Sequence, residues 1–406
     1  MLTPYDEFPC HQTPHPFSYI ANTDYSWDEG YFFGAFNPDE KVFLGCGFRI
    51  NPNTDMIGGY CLINVDGRQY TTRFSRCWRQ DFGFRVGPWN VEIIEPLKTL
   101  RYTLEANDSD LTLDVLWTGS SPAYLEEHHL AHNRGRRTTD QSRYSQPGTV
   151  SGFVKLGDQS WDLGQPGWVG ARDHSWGLYA ERPPIPPEAK WLPPRKIGGA
   201  KRALRFWTVF KTGDYSGFYH LHEDAEGVQR ELDDVFGNPL GGRLYKGWNE
   251  EEVGLKAARH ELQFRPGTRI LEHATIYMTD TVNRDWVQTF EVVCPPWLVQ
   301  TNGYSVGAWK DGGTFHTYHG SEELAVEWDD FDFSQQPVSY TPYGVEQEAG
   351  LNLDALNSGL DYSKPIHGIE YLCRVVTTAP DGTRHVGSAH IEHFINGRFD
   401  PYGFTD

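Results

Sequence analysis

Gly59-Tyr60-Cys61-Leu62-Ile63-Asn64-Val65, then Asp66-Gly67, then Gln69-Tyr70-Thr71-Thr72-Arg73-Phe74 reads as a strand, a tight turn and a second strand. An Asp-Gly pair between runs of β-branched and aromatic residues supplies the backbone angles that a two-residue hairpin needs. The same grammar continues on both sides. Upstream stand Tyr31 to Phe36 and Val42 to Ile50. Downstream stand Asn90 to Glu95, Thr99 to Ala106 and Leu111 to Trp117. In the last of these, Leu111, Leu113, Val115 and Trp117 alternate with Thr112, Asp114 and Leu116, largely the pattern of a half-buried strand. Pro96 and Asn107-Asp108 break the runs at the spacing of a meander sheet or barrel. Ser121-Pro122, with proline at a first helical position, predicts a short helix through Leu130. Gly148 to Leu156 resumes strand, and Gly157-Asp158 turns it.

Residues 182–200 carry Arg182-Pro183-Pro184-Ile185-Pro186-Pro187 and Trp191-Leu192-Pro193-Pro194. Proline at this density has no place inside a sheet and favours an extended connection. A second strand series starts at Leu204 and runs through Ser216–Leu221, Glu261–Arg265, Arg269–Thr279, Gln288–Val293 and Ile369–Thr378, with Asp381-Gly382 as a turn. Each half closes on a strand, a turn and a glycine-marked strand, with Gly170 and Gly387 in equivalent places. The chain therefore divides into a β domain over 1–187, a proline-rich connection over 188–203 and a second β domain over 204–406. The expected class is all-β, with two domains of similar topology.

Composition narrows the function. The 406 residues suggest two to three domains and include 14 Trp, 21 Tyr and 23 Phe, against 3 Met. Such an aromatic content suits β cores, and it equally suits a cavity lined with rings. A net charge of −19 opposes binding to nucleic acid or to an anionic membrane surface. No apolar run approaches the length of a membrane span. The first residues lack the basic and apolar regions of a signal peptide. The six cysteines form no CxxC pair. Reduced, mostly buried thiols and a cytoplasmic location are expected. The sequence leaves the oligomeric state open.

The densest chemistry lies in Gly167-Trp168-Val169-Gly170-Ala171-Arg172-Asp173-His174-Ser175-Trp176-Gly177. On a strand, side chains alternate. Val169, Ala171, Asp173 and Ser175 then share one face, and Arg172, His174 and Trp176 the other. Adjacent Asp173 and His174 are therefore no hydrolase relay. Two readings remain open. Asp173, flanked by small residues, is a carboxylic acid whose pKa rises in an apolar cavity, which suits a general acid. Or Arg172 and Asp173 are satisfied polar groups that stitch two domains together.

Histidines cluster at His128, His129 and His132, at His220 and His222, at His316 and His319, and at His390 and His393. No HExxH motif or third ligand is placed by spacing, so no metal and no cofactor is expected. The run Arg134, Arg136, Arg137 and Arg143, beside Tyr144, is able to hold an acidic group of a ligand or to pair with Glu126, Glu127 and Asp140. No phosphate loop, dinucleotide fingerprint or nucleophile elbow is present.

The segment Gly170 to Gly177 resembles the Asp-His-x-Trp-Gly motif of the AttH-like and carotenoid 1,2-hydratase (hydroxyneurosporene synthase) superfamily. Gly148-Thr149-Val150-Ser151-Gly152 before it and a second β domain after it fit the same layout. The resemblance implies two consecutive lipocalin-like antiparallel β-barrels packed together. It also implies protonation of a double bond in a hydrophobic small molecule by a carboxylic acid. Asp173 would be the proton donor, His174 its modulator or a ligand contact, and Trp176 a ring facing substrate or domain interface. Trp168, Arg172, Arg143 and Tyr144 complete the candidate binding set. The expected function is a cofactor-independent lyase or isomerase, hydratase-like, for an isoprenoid, steroid-like or aromatic compound. The competing expectation is a carrier for such a ligand, with the motif purely structural.

Overall fold

The computed structural model describes residues 1–9, 11, 13–133, 135–179, 202–231, 238–303, 307–315, 317–333 and 369–405. The connection expected over 188–203 lies outside the described residues up to position 201.

The first series of strands is β1 (Trp27–Asn37), β2 (Val42–Asn51), β3 (Met56–Val65), β4 (Arg68–Cys77), β5 (Trp89–Glu95), β6 (Thr99–Leu104), β7 (Leu111–Gly119), β8 (Tyr124–Asn133), β9 (Arg136–Leu156), β10 (Gln159–Asp162) and β11 (Val169–Tyr179). The second is β12 (Leu204–Thr212), β13 (Tyr215–Glu223), β14 (Leu240–Lys246), β15 (Glu251–Phe264), β16 (Leu271–Asp280), β17 (Asp285–Val292), β18 (Trp297–Leu298), β19 (Ala325–Asp332), β20 (Ile369–Thr378) and β21 (Arg384–Ile395). The fold is all-β. The turn between β3 and β4 is the expected hairpin, with Asp66 at φ 49° and Gly67 at φ 93°. No helix among the described residues is long and apolar enough to cross a membrane.

The second series closes. Its order is β17-β16-β15-β14-β13-β12-β21-β20, and β17 pairs again with β20, which completes an eight-stranded antiparallel barrel. The first series curls without closing. Its order is β19-β4-β3-β2-β1-β11-β9-β7-β6-β5, with β8 and β10 attached to β9. Its outermost strand, β19, comes from far along the chain: Ala325–Asp332 pairs with β4 in a regular antiparallel ladder. In both units the glycine-marked strand returns to the first strand: β11 pairs with β1, and β21 pairs with β12.

The helix expected over 121–130 is absent. Tyr124–Asn133 is a strand on the edge of β9, with register breaks between Leu125 and His128 and between Ala131 and His132. The 21 residues of β9 offer more edge than β11 and β7 cover, and ladder pairing there outweighs a local capping signal.

Two apolar clusters divide along β1. Phe33 and Ala35 pack into the curled sheet with Trp89, Tyr102, Trp117 and Trp168. Phe36, Val169 and Ala171 pack against the barrel, with Phe32 beside them. The curled sheet thus has an inner face, which forms its own core, and an outer face seated on the barrel. Cys46, Cys61, Cys77, Cys294 and Cys373 are free thiols, four of them buried.

Candidate active site

Register decides which side chains meet. Between β1 and β11, His174 stands opposite Tyr31, Arg172 opposite Phe33 and Asp173 opposite Phe32. Between β11 and β9, His174 stands opposite Tyr144, Arg172 opposite Gln146, Asp173 opposite Ser145 and Ser175 opposite Arg143. Alternation along each strand sorts these residues into two sets. Tyr31, Phe33, Tyr144, Gln146, Arg172, His174 and Trp176 share the inner face. Phe32, Arg143, Ser145, Asp173 and Ser175 share the outer one.

The inner face borders a cavity of about 400 Å³. Phe33, Phe48, Phe84, Val91, Ile93, Pro96, Leu97 and Leu100 form its apolar wall, and Glu29, Tyr31, Tyr144, Arg172, His174 and Trp176 bring the polar groups. This balance of much apolar wall and few convergent polar atoms is that of a small-molecule site.

His174 Nε2 lies 2.8 Å from Glu29 Oε1. An ionised carboxylate only accepts, so in this pair Nε2 carries the hydrogen, which in a neutral imidazole leaves the lone pair on Nδ1. The imidazole stacks on Tyr31 with centroids 3.8 Å apart, meets Tyr144 edge-on at 5.2 Å and lies 5.0 Å from the Trp176 ring. Three rings and one carboxylate therefore fix its orientation.

Arg172 is 2% exposed. Its Nε and Nη2 donate to Gln146 Oε1 at 2.9 and 2.7 Å, and Nη1 donates to the Tyr144 hydroxyl at 3.3 Å. Gln146 is oriented in turn by donating to the carbonyls of Leu97 and Ser121 at 2.9 and 2.7 Å. The guanidinium carbon lies 4.8 Å from the Trp117 ring and 5.1 Å from the Tyr144 ring. Burial pulls Arg172 below its ordinary value. Burial also lifts Tyr144 above the usual phenol range, with Arg172 opposing the rise, and lifts Tyr31 well above it. Both phenols therefore keep their protons at neutral pH and present hydrogen-bond donors.

Trp117 accounts for two glycines noted in the sequence. Gly170 faces Gly148 across the ladder. A Cβ on Gly148 would come within 2.5 Å of the Trp117 indole, and one on Gly170 within 2.6 Å. The glycines leave room for the ring on which Arg172 rests.

The candidate set is thus divided. Arg172, His174, Trp176 and Tyr144 meet at the cavity. Trp168 is buried in the core of the curled sheet and does not border it. Asp173 is half-buried on the outer face with Arg143. Glu29 and Tyr31 join the site without having been singled out in the sequence. For Tyr31 the signal was alternation with Phe33 on one face of an aromatic strand; Glu29 lies before the strand expected from Tyr31 onward.

On the outer face, Ser145 Oγ donates to Glu126 of β8, whose side chain is buried. Burial pushes the Glu126 carboxyl up to about 7, against the pull of Arg143, the Ser145 hydrogen bond and Arg205 of the barrel, while the charge of Asp173 adds to the rise. Arg205 itself pairs with Glu392 at 2.7 Å and meets His222 Nε2 at 3.0 Å. His220 stacks on His222 at 4.6 Å, and burial holds both imidazoles neutral, His220 at about 3. Of the basic run, Arg137 pairs with Asp140 at 2.7 Å and Arg143 faces Glu126; Arg134 lies outside the described residues. Among the described residues no three histidine, cysteine or acidic side chains converge as a metal site.

Glu126 makes stability depend on pH. Its folded value of about 7 lies above the 4.5 of a free glutamate, so the fold binds the proton more tightly than the unfolded chain does. The contribution is full below pH 4.5 and is lost as pH rises through 7, an effect of about 3 kcal/mol. Glu126→Gln is expected to flatten that slope and to raise stability at pH 8. Denaturant midpoints at pH 5 and pH 8 measure it, and an unchanged slope in the variant would refute the assignment.

The model of a family of unknown function, DUF8625, matches residues 2–340. No curated protein matches the chain. Among solved structures, CghA with Sch210972 is similar at a TM-score of 0.46 and 8% identity, covering 91% of this chain and 89% of that one. Another CghA crystal structure gives 0.44 and 9%, covering 95% and 96%. Kievitone hydratase from Nectria haematococca gives 0.39 and 8%, covering 97% and 96%.

Proposed function

The chain belongs to the family of unknown function DUF8625, and we propose that it is a cofactor-independent lyase or isomerase, hydratase-like, that moves a proton on a hydrophobic small molecule. The observation that carries this reading is the Glu29–His174 pair, 2.8 Å apart on the wall of an apolar cavity of about 400 Å³. A histidine held by a carboxylate on one nitrogen has a basic nitrogen on the other, aligned by its partner. The apolar wall binds the carbon skeleton of the substrate. Nδ1 of His174 takes the proton from the carbon acid, and Glu29 stabilises the imidazolium that results. The same imidazolium returns the proton at the end of the cycle, to a carbon for an isomerase or to a departing hydroxyl for a lyase.

Asp173, the donor that the hydratase resemblance implies, stands on the opposite face of β11, so two variants separate the assignments. The test incubates the protein with a panel of aromatic and terpenoid enones in D₂O and follows deuterium incorporation by mass spectrometry. Loss of exchange in His174→Asn with retention in Asp173→Asn is the expected result. Exchange that survives His174→Asn and disappears in a folded Asp173→Asn protein returns the role to Asp173. Ligand binding without any exchange makes the protein a carrier.

A further inference from the structure

Four other buried arginines in this protein pair with carboxylates. Arg49 pairs with Asp28 at 2.6 Å, Arg73 with Glu327 at 3.2 Å and with Asp329, Arg76 with Asp81 at 2.8 Å, and Arg205 with Glu392 at 2.7 Å. Such pairing offsets the cost of removing a guanidinium from water; Arg269 instead donates to the carbonyls of Ile395 and Gly397. Arg172 is as buried as these, at 2% exposure, yet its acceptors are the Gln146 amide oxygen and the Tyr144 hydroxyl. Among the described residues no carboxylate is paired with it. The groups that favour its charged form are two phenols, Tyr144 and Tyr31, and burial keeps both protonated and so without charge. Stacking on Trp117 and Tyr144 offsets part of the desolvation but supplies no counter-charge. This cation borders the cavity itself, beside His174.

We infer that the ligand of this cavity is an apolar organic acid whose anionic oxygen pairs with Arg172 and accepts the hydrogen of Tyr144, the carbon skeleton lying against Phe48, Phe84 and Leu100. The ligand supplies the negative charge that the protein leaves out. A guanidinium held in place by Gln146 is organised for a carboxylate before the ligand arrives, so little ordering is required on binding. The inference rests on the reading of the cavity as a substrate site and adds the chemical class of the substrate. It also sets the direction in which the substrate lies, acid group toward Arg172 and reacting carbon toward His174.

The experiment compares naphthalene-2-carboxylate with naphthalene-2-carboxamide, which match in shape and differ in charge, by titration calorimetry at pH 7. The unmodified protein is expected to bind the carboxylate at least about tenfold more tightly than the amide. Arg172→Met is expected to lose this preference, and Arg172→Lys, which keeps the charge but not the planar fork, to retain part of it. The comparison on the unmodified protein stands even where a variant fails to fold. Equal affinities for the two probes, no binding of either, or a preference that persists in Arg172→Met would overturn the inference. Failure of the proton-transfer reading shows elsewhere, as exchange indifferent to His174, and leaves a measured carboxylate preference standing.

Discussion

His174→Asn is expected to lower the rate of proton transfer by about 10²- to 10⁴-fold, the range usual for loss of a positioned acid–base group. The magnitude follows from the site. Asparagine is shorter than the ring and its amide takes the place of Nδ1, so the variant loses the basic nitrogen together with the Nε2 hydrogen bond to Glu29. Binding should change little, because Tyr31, Tyr144 and Trp176 keep their own supports. The deficit belongs in kcat, with KM nearly constant. Glu29→Gln is the graded companion. An amide in place of the carboxylate can present its N–H to the imidazole and favour the wrong tautomer, as in other oriented histidines. The Glu29 side chain is 44% exposed, so solvent screens its charge, and the loss is expected to be smaller, roughly tenfold. Steady-state kinetics of both variants on any substrate found by deuterium exchange supplies the check. A His174→Asn enzyme within threefold of the parent would end the proposal.

Trp117→Ala is expected to cost about 3–5 kcal/mol of stability, the usual consequence of removing a fully buried indole. Trp117 is 0% exposed and lies across the glycines of two neighbouring strands. Gly148 and Gly170, against which it lies, have no side chains with which to close the gap. The damage extends to the site. The ring is one of the two platforms on which the Arg172 guanidinium rests, so the variant should also lose discrimination between carboxylate and carboxamide probes. Guanidinium chloride unfolding followed by circular dichroism measures the first effect and calorimetry the second. A loss below about 1 kcal/mol would show that the sheet can repack around the missing ring, contrary to close packing.

Much of the fold was legible because β structure announces itself locally. The Asp66-Gly67 hairpin, the alternation of Leu111 to Trp117 and the turn at Asp381-Gly382 each need only neighbours in sequence. Residues 121–130 misled for the same reason. Ser121-Pro122 is a local signal for a helix, while the edge of β9 that captures Tyr124–Asn133 is formed by residues later in the chain. The strand Ala325–Asp332 was not legible as the edge of the first sheet, because its partner β4 lies about 250 residues earlier.

The site shows the same division. Alternation alone separated Arg172, His174 and Trp176 from Asp173, and that separation holds in the sheet. The glycines Gly148 and Gly170 were visible, but their purpose was not, since it depends on an indole from a third strand. Glu29 is the sharpest case. Nothing in Trp27-Asp28-Glu29-Gly30 marks a histidine partner 145 positions away. Strand periodicity, turn chemistry and the grouping of side chains by face are properties of a few consecutive residues, and the sequence by itself determined them. The antiparallel register of β1, β11 and β9 pairs residues that share no local signal. Only the tertiary structure decided that His174 meets Glu29, that Arg172 meets no carboxylate among the described residues, and that both border one cavity.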